Sequence, residues 1–193
     1  MTIYKNFISK CRKKWYFILE KIVYIQFFCR KKFSEKEDVP MDVLDLAHDI
    51  VVYLDQHGSS ISNLKLQKTL YYIQGYCLKI HAQPAFPNSI LHWAYGPVVA
   101  DAYYEYSVYG AEPIVSGSAA ASGNTLFNGF ERGMVDTIEK VINACNARSA
   151  SQLVEQTHQE NPWKKTVRNQ EITLQSIAAY FSKNDPLQLN IGR

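Results

Sequence analysis

At 193 residues, with 47% hydrophobic and 20% charged residues, the chain is sized for one domain with its own core, which excludes wholesale disorder. Cys11, Cys29, Cys77 and Cys145 form no CxxC pair, which excludes a zinc ribbon and a disulfide scaffold and fits a reducing, cytoplasmic setting. The net charge of +3 hides a split: residues 1–40 hold ten Lys or Arg against four Asp or Glu, and the remainder eleven against fourteen. The body is mildly acidic, so no nucleic-acid binding is expected of it.

The first forty residues form a basic, aromatic-rich arm. Its apolar run from Trp15 to Cys29 is broken by Glu20 and Lys21, and a spanning helix needs about 20 largely uncharged residues, so a transmembrane reading is weak. No small-residue cleavage site follows, as a secretory signal would require. Two readings stay open. Aromatics interleave with Lys10, Arg12, Lys13, Lys14, Lys21, Arg30, Lys31 and Lys32, as in a cationic helix lying on a membrane or on a partner. Alternatively, Phe, Ile, Tyr, Lys and Asn supply 22 of these 40 residues against 42 of the other 153, the composition of translated AT-rich leader DNA ahead of a start at Met41.

From Met41 to about His57, Val43, Leu44, Ala47, Ile50, Val51 and Leu54 recur at helical spacing, and Gly58 stops the run. Ser62 and Asn63 offer caps for a second helix to about His81, with Leu66, Leu70, Ile73 and Cys77 on one stripe. Residues 83–88 read as a loop and ILHWAY (90–95) as a short strand. Gly96-Pro97 is expected to open a third helix, with Pro97 at its first position and Gly110 at its end. Ile114 and Val115 are candidate hairpin partners for ILHWAY or for Thr125 to Phe127, across the small-residue loop SGSAAASGN. A fourth helix spans about Asn128 to Ala147. Ser149 and Gln152 have capping-box spacing for a short fifth, which Asn161-Pro162 breaks. A last helix covers roughly Thr173 to Ser182. The expected fold is mainly α: one domain of about six helices over 41–183, at most a minor hairpin, and a tail at 184–193.

No phosphate loop, dinucleotide fingerprint, HExxH, GxSxG or paired-carboxylate signature is present, and neither a cofactor nor a metal is expected. Cys77 and His81 lie four apart with no second pair beside them in sequence, which fits a buried thiol beside a helix-end histidine better than a metal site. A hydrolase would have to use His158 and Glu160 with Lys65 or Lys68. Two positions apart on a helix, the first two point to different faces, so capping or hydrogen-bonding roles fit them better.

Three segments stand out: LKLQKTLYYIQG (64–75), WAYGPVV (93–99) and THQENPW (157–163). With AYYEYSVYG after the second, their order and spacing resemble the Panacea antitoxin domain, the family of SocA-like antitoxins and phage-associated proteins. The resemblance runs from about Val43 to Phe181. It implies an antitoxin that neutralises a cognate protein toxin, encoded by an adjacent gene, by direct binding, with no catalysis. A proteolytic adaptor that delivers the toxin to a protease is the alternative.

Motif positions implied by the resemblance, and candidates for toxin binding, are Lys65, Gln67, Lys68, Tyr71, Tyr72, Gln74, Trp93, Tyr95, Gly96, Pro97, Tyr103, Thr157, His158, Glu160, Pro162 and Trp163. Helical spacing puts Lys65, Lys68 and Tyr72 on one face, apart from the apolar stripe. That face is expected to be free for a partner.

Overall fold

The computed structural model describes residues 41–116 and 126–191. The arm and most of the small-residue loop, with the expectations attached to them, lie outside the described residues.

Asp42 opens the fold, its carboxylate accepting the Leu44 N–H at 2.9 Å to cap α1 (Val43–Gln56). The chain turns at Gly58, whose φ of +67° suits a residue without a Cβ. α2 (Asn63–His81) then runs through the middle of the molecule. Its stripe of Leu66, Leu70, Ile73 and Cys77 is buried as expected, but so is nearly every other residue from Leu66 to Cys77. The reason is packing on several sides: α2 touches α4 (Arg132–Asn146), α5 (Ala150–Gln159), α7 (Leu174–Phe181) and the hairpin. Gly75 permits one of these approaches. A Cβ there would sit 2.3 Å from the Phe181 ring, which packs edge-on to Tyr71, Tyr72 and Tyr76.

ILHWAY does supply a strand, β1 (Ile90–Trp93), but its partner was not foreseen. Gly96-Pro97 opens no helix; Gly96–Val99 is β2, antiparallel to β1 with Trp93 opposite Gly96 and Ile90 opposite Val99. Pro97 fits there because β2 has no further strand on its other edge, so its missing N–H breaks no ladder. Helix α3 is therefore only Ala100–Glu105, followed by a 3-10 turn, Ser107–Tyr109. Ile114 pairs with neither expected partner, its N–H donating to Ile61 O at 2.8 Å instead. The other edge of β1 is taken by residues 169–172: His92 N–H donates to Gln170 O (2.9 Å) and Ile172 N–H to Ile90 O (2.7 Å).

The capping box at Ser149 and Gln152 forms in both directions, at 3.1 and 2.8 Å. Proline ends α5 and restarts the chain as α6 (Asn161–Lys164), so seven α-helices stand among the described residues where about six were expected. Asn161-Pro162 is a junction between helices rather than a stop. The architecture is mainly α with one two-stranded hairpin. The tail is not loose in its first part: Leu187 is buried, and its N–H donates to the Tyr76 hydroxyl at 3.0 Å. Among the described residues no helix is long and apolar enough to cross a membrane.

Candidate functional site

Helix α2 carries most of the singled-out polar residues, and they face inward. Gln67 Oε1 accepts the Val99 N–H at 2.9 Å, and Lys68 Nζ donates to Pro97 O at 2.8 Å. Side chains of a helix thus satisfy the unpaired edge of β2, where backbone groups would otherwise be buried unbonded. Gln67 Nε2 also donates to Asn63 Oδ1 (3.0 Å), and Asn63 Nδ2 to Tyr103 O (2.9 Å), which ties in α3. One turn on, Gln74 pins the 85–86 loop, accepting the Ala85 N–H at 2.7 Å and donating to Phe86 O at 3.0 Å.

The free polar face expected of this helix does not exist. Lys68 and Tyr72 are fully buried, and only Lys65 is half-exposed. Lys65 Nζ reaches the end of α4, donating to Asn146 O at 2.9 Å. Periodicity sorts residues by face, but a helix enclosed on several sides has no outward face to offer.

Glu160 is the second centre. Its two carboxylate oxygens accept the hydroxyls of Tyr71 and Tyr72, at 2.7 and 2.9 Å. Burial pushes its pKa up to about 7, the two hydroxyl bonds pulling the other way. Burial likewise lowers the Lys68 ammonium to about 7. The two do not pair; the salt bridge found among the described residues is His48 to Asp49, at 3.9 Å.

Around these centres the third segment closes the site. His158 and His92 both stack on the Trp163 indole, at centroid distances of 4.0 and 4.3 Å, and Trp163 Nε1 donates to Trp93 O at 3.2 Å. Burial, with Lys68 and His92 nearby, lowers the His158 pKa. Pro162 is buried in the first turn of α6, and Thr157 Oγ1 donates to Val154 O at 2.9 Å. The pair a hydrolase would need is no open site, since Glu160 is 2% exposed and its oxygens are held by tyrosines rather than by His158. Cys77 is buried, and His81 Nε2 bonds Thr137 Oγ1 at 2.9 Å. Among the described residues no group of three His, Cys, Asp or Glu is placed to hold a metal.

Gly96 is the pivot where these parts meet. Its φ is +99°, and a Cβ would lie 2.8 Å from Thr157 Oγ1 and 3.0 Å from Lys68 Nζ. Valine there would combine a left-handed backbone with two polar clashes. Gly96→Val is expected to destabilise the fold by roughly 2 kcal/mol or more, read as a lower melting midpoint. Wild-type stability in that variant would refute the structural role.

Structure therefore joins residues from all three segments into one interior network: Gln67, Lys68, Tyr71, Tyr72, Gly96, Pro97, Thr157 and Glu160. A model of the family described as antitoxin SocA-like, Panacea domain, matches residues 66–164, a little over half the chain. The chain belongs to the Panacea family. Comparison with curated proteins and with solved structures finds no match. Membership makes this an antitoxin-like protein of a family not typically enzymatic, and it points to a protein partner.

The outer side of the same Panacea domain is aromatic. Trp93 packs edge-on to Tyr103 at 5.0 Å and to Tyr104 at 6.2 Å, and the two tyrosines meet at 5.6 Å. Tyr104 is 64% exposed, Tyr95 at the hairpin turn 71% and Val108 83%. Of these, Tyr104 and Val108 were not singled out from sequence. The Tyr-rich run AYYEYSVYG was noticed, but a longer α3 spread its residues around a helix and concealed which ones share the outer side.

Proposed function

We propose that this protein is the antitoxin of a bacterial or phage toxin–antitoxin pair and neutralises a cognate protein toxin by direct binding. The toxin docks on the exposed aromatic face of the hairpin and α3. The observation that carries this reading is that face: Tyr104 opens to solvent beside Trp93 and Tyr103, with Tyr95 exposed at the hairpin turn and Val108 in the 3-10 turn, all inside the segment that matches the family. Tyrosine and tryptophan are the residues that dominate binding hot spots, because they bury large areas with few rotors to freeze. The interior network of Lys68 and Glu160 has the complementary task of holding that face rigid.

Co-expression with the neighbouring reading frame tests the proposal. The neighbour alone should arrest growth, and this chain should restore it. The double substitution Tyr95→Ala with Tyr104→Ala removes two largely exposed rings and the edge contacts of Tyr104, so it should stay folded with a stability loss of about 1 kcal/mol. Its affinity for the toxin should fall by about tenfold or more. Full protection by the folded double variant would overturn the docking face. Toxin abundance separates the mechanisms: sequestration leaves it unchanged on an immunoblot, whereas delivery to a protease lowers it.

A further inference from the structure

The segment that carries the aromatic face is one-signed in sequence. Between Lys79 and Arg132 the chain contains no Lys or Arg, while Asp101, Glu105 and Glu112 are all exposed. Asp101 and Tyr104 fall three apart on α3, so one carboxylate lies beside that ring, and Glu105, four on from Asp101, extends the acidic side beyond it. Asp101 Oδ2 is held by Asn88 Nδ2 at 2.6 Å, which fixes that carboxylate while leaving Oδ1 available. Glu105 makes no side-chain hydrogen bond among the described residues. The basic turn at Lys164, Lys165 and Arg168 adjoins the Trp93 end of β1, where Trp163 Nε1 donates to Trp93 O, so the Asp101 side of the face is the acidic one.

Rings beside carboxylates fit one side chain better than any other. Guanidinium is planar and weakly hydrated; it stacks on an aromatic face and donates two parallel bonds to a carboxylate at its edge. An ammonium is compact, strongly hydrated and makes point contacts only. Resting on the docking face assigned above, we propose that its partner is an arginine-bearing protein surface, with guanidinium groups stacked on Tyr104 and Trp93 and bonded to Glu105 and Asp101.

A titration of the full-length protein with nona-arginine and nona-lysine peptides, followed by tryptophan fluorescence and calorimetry, tests this without any toxin. The arginine peptide should bind about tenfold more tightly than the lysine peptide. Glu105→Lys with Asp101→Lys, and separately Tyr104→Ala, should each weaken arginine-peptide binding by about tenfold while a cooperative melt is retained. Equal binding of both peptides overturns the assignment, and so does arginine-peptide binding indifferent to either variant. A wild-type protein that sediments as a dimer, with the Tyr104→Ala variant a monomer, also overturns it, since the face would then be covered by a second copy. The peptides need no cognate toxin, so a negative titration leaves the co-expression result standing. A failed co-expression assay likewise leaves the titration interpretable.

Discussion

Glu160→Ala is expected to remove a large share of the protein's stability, read as a much lower urea midpoint. The substitution strips both acceptors from the Tyr71 and Tyr72 hydroxyls, which sit fully buried and out of reach of bulk solvent. Each unpaired buried hydroxyl costs about 1–3 kcal/mol, so the pair costs about 2–6 kcal/mol before any cavity is counted. Domains of this size have only about 5–15 kcal/mol in total. Glu160→Gln keeps the shape and one acceptor, and it isolates the charge. The folded pKa of about 7 lies above the ordinary 4.5, so the native state holds a proton that the unfolded chain releases. The sign follows: Glu160 contributes most below its unfolded pKa, and its contribution falls as pH rises through about 7. Wild type should therefore lose up to about 3 kcal/mol relative to Glu160→Gln between about pH 4.5 and pH 8. Urea midpoints of both proteins across that range measure it. Parallel curves would show that Glu160 is not held protonated by the fold.

Local chemistry explains which elements were legible beforehand. The α1 period, the Ser149–Gln152 capping box and the Leu66, Leu70, Ile73 stripe each depend on residues within a turn or two of one another, and each stands in the structure where it was expected. β2 depends on no such neighbours. Its free edge is satisfied by Gln67 and Lys68 from about thirty positions earlier, and its first two residues, Gly96-Pro97, carry a strong helix-start signal of their own. Local propensity and tertiary demand disagreed there, and the tertiary demand prevailed.

The interior network was legible as a list of residues but not as a place. Lys68, Tyr72, Gly96, Thr157 and Glu160 were all singled out, yet Lys68 and Tyr72 were assigned to solvent because polar groups at helical spacing ordinarily form an outer face. What inverted them is the enclosure of α2 by the hairpin, α4, α5 and α7, a fact of packing that no single helix encodes. Tyr104 was overlooked for the opposite reason. Nothing in its spacing separates a tyrosine that is 64% exposed from Tyr103 beside it, whose backbone carbonyl is tied to Asn63.

Lys68→Glu is expected to abolish folding, and Lys65→Glu alone to leave it largely intact. Lys65 is half-exposed and gives up a hydrogen bond to Asn146 O, a loss of about 1 kcal/mol with solvent ready to replace it. Lys68 has no such refuge. Its Nζ lies 2.8 Å from the Pro97 carbonyl, and a carboxylate put there would bring oxygen against oxygen in a site that excludes water. Leaving a buried charge uncompensated costs about 3–5 kcal/mol, and Pro97 O and the β2 edge lose their donor as well. Lys68→Met separates charge from packing, since methionine follows the same path without the ammonium. The native pKa of about 7 lies below the ordinary 10.5, so burial costs most while the group must carry its proton, below about pH 7. The advantage of methionine over lysine should therefore shrink as pH climbs from about 7 towards 10, opposite in sense to the Glu160 effect. Thermal melts of the three variants beside wild type decide the matter. A folded, cooperative Lys68→Glu protein would show that this side chain lies at the surface. The polar face of α2 would then return as a candidate for the toxin.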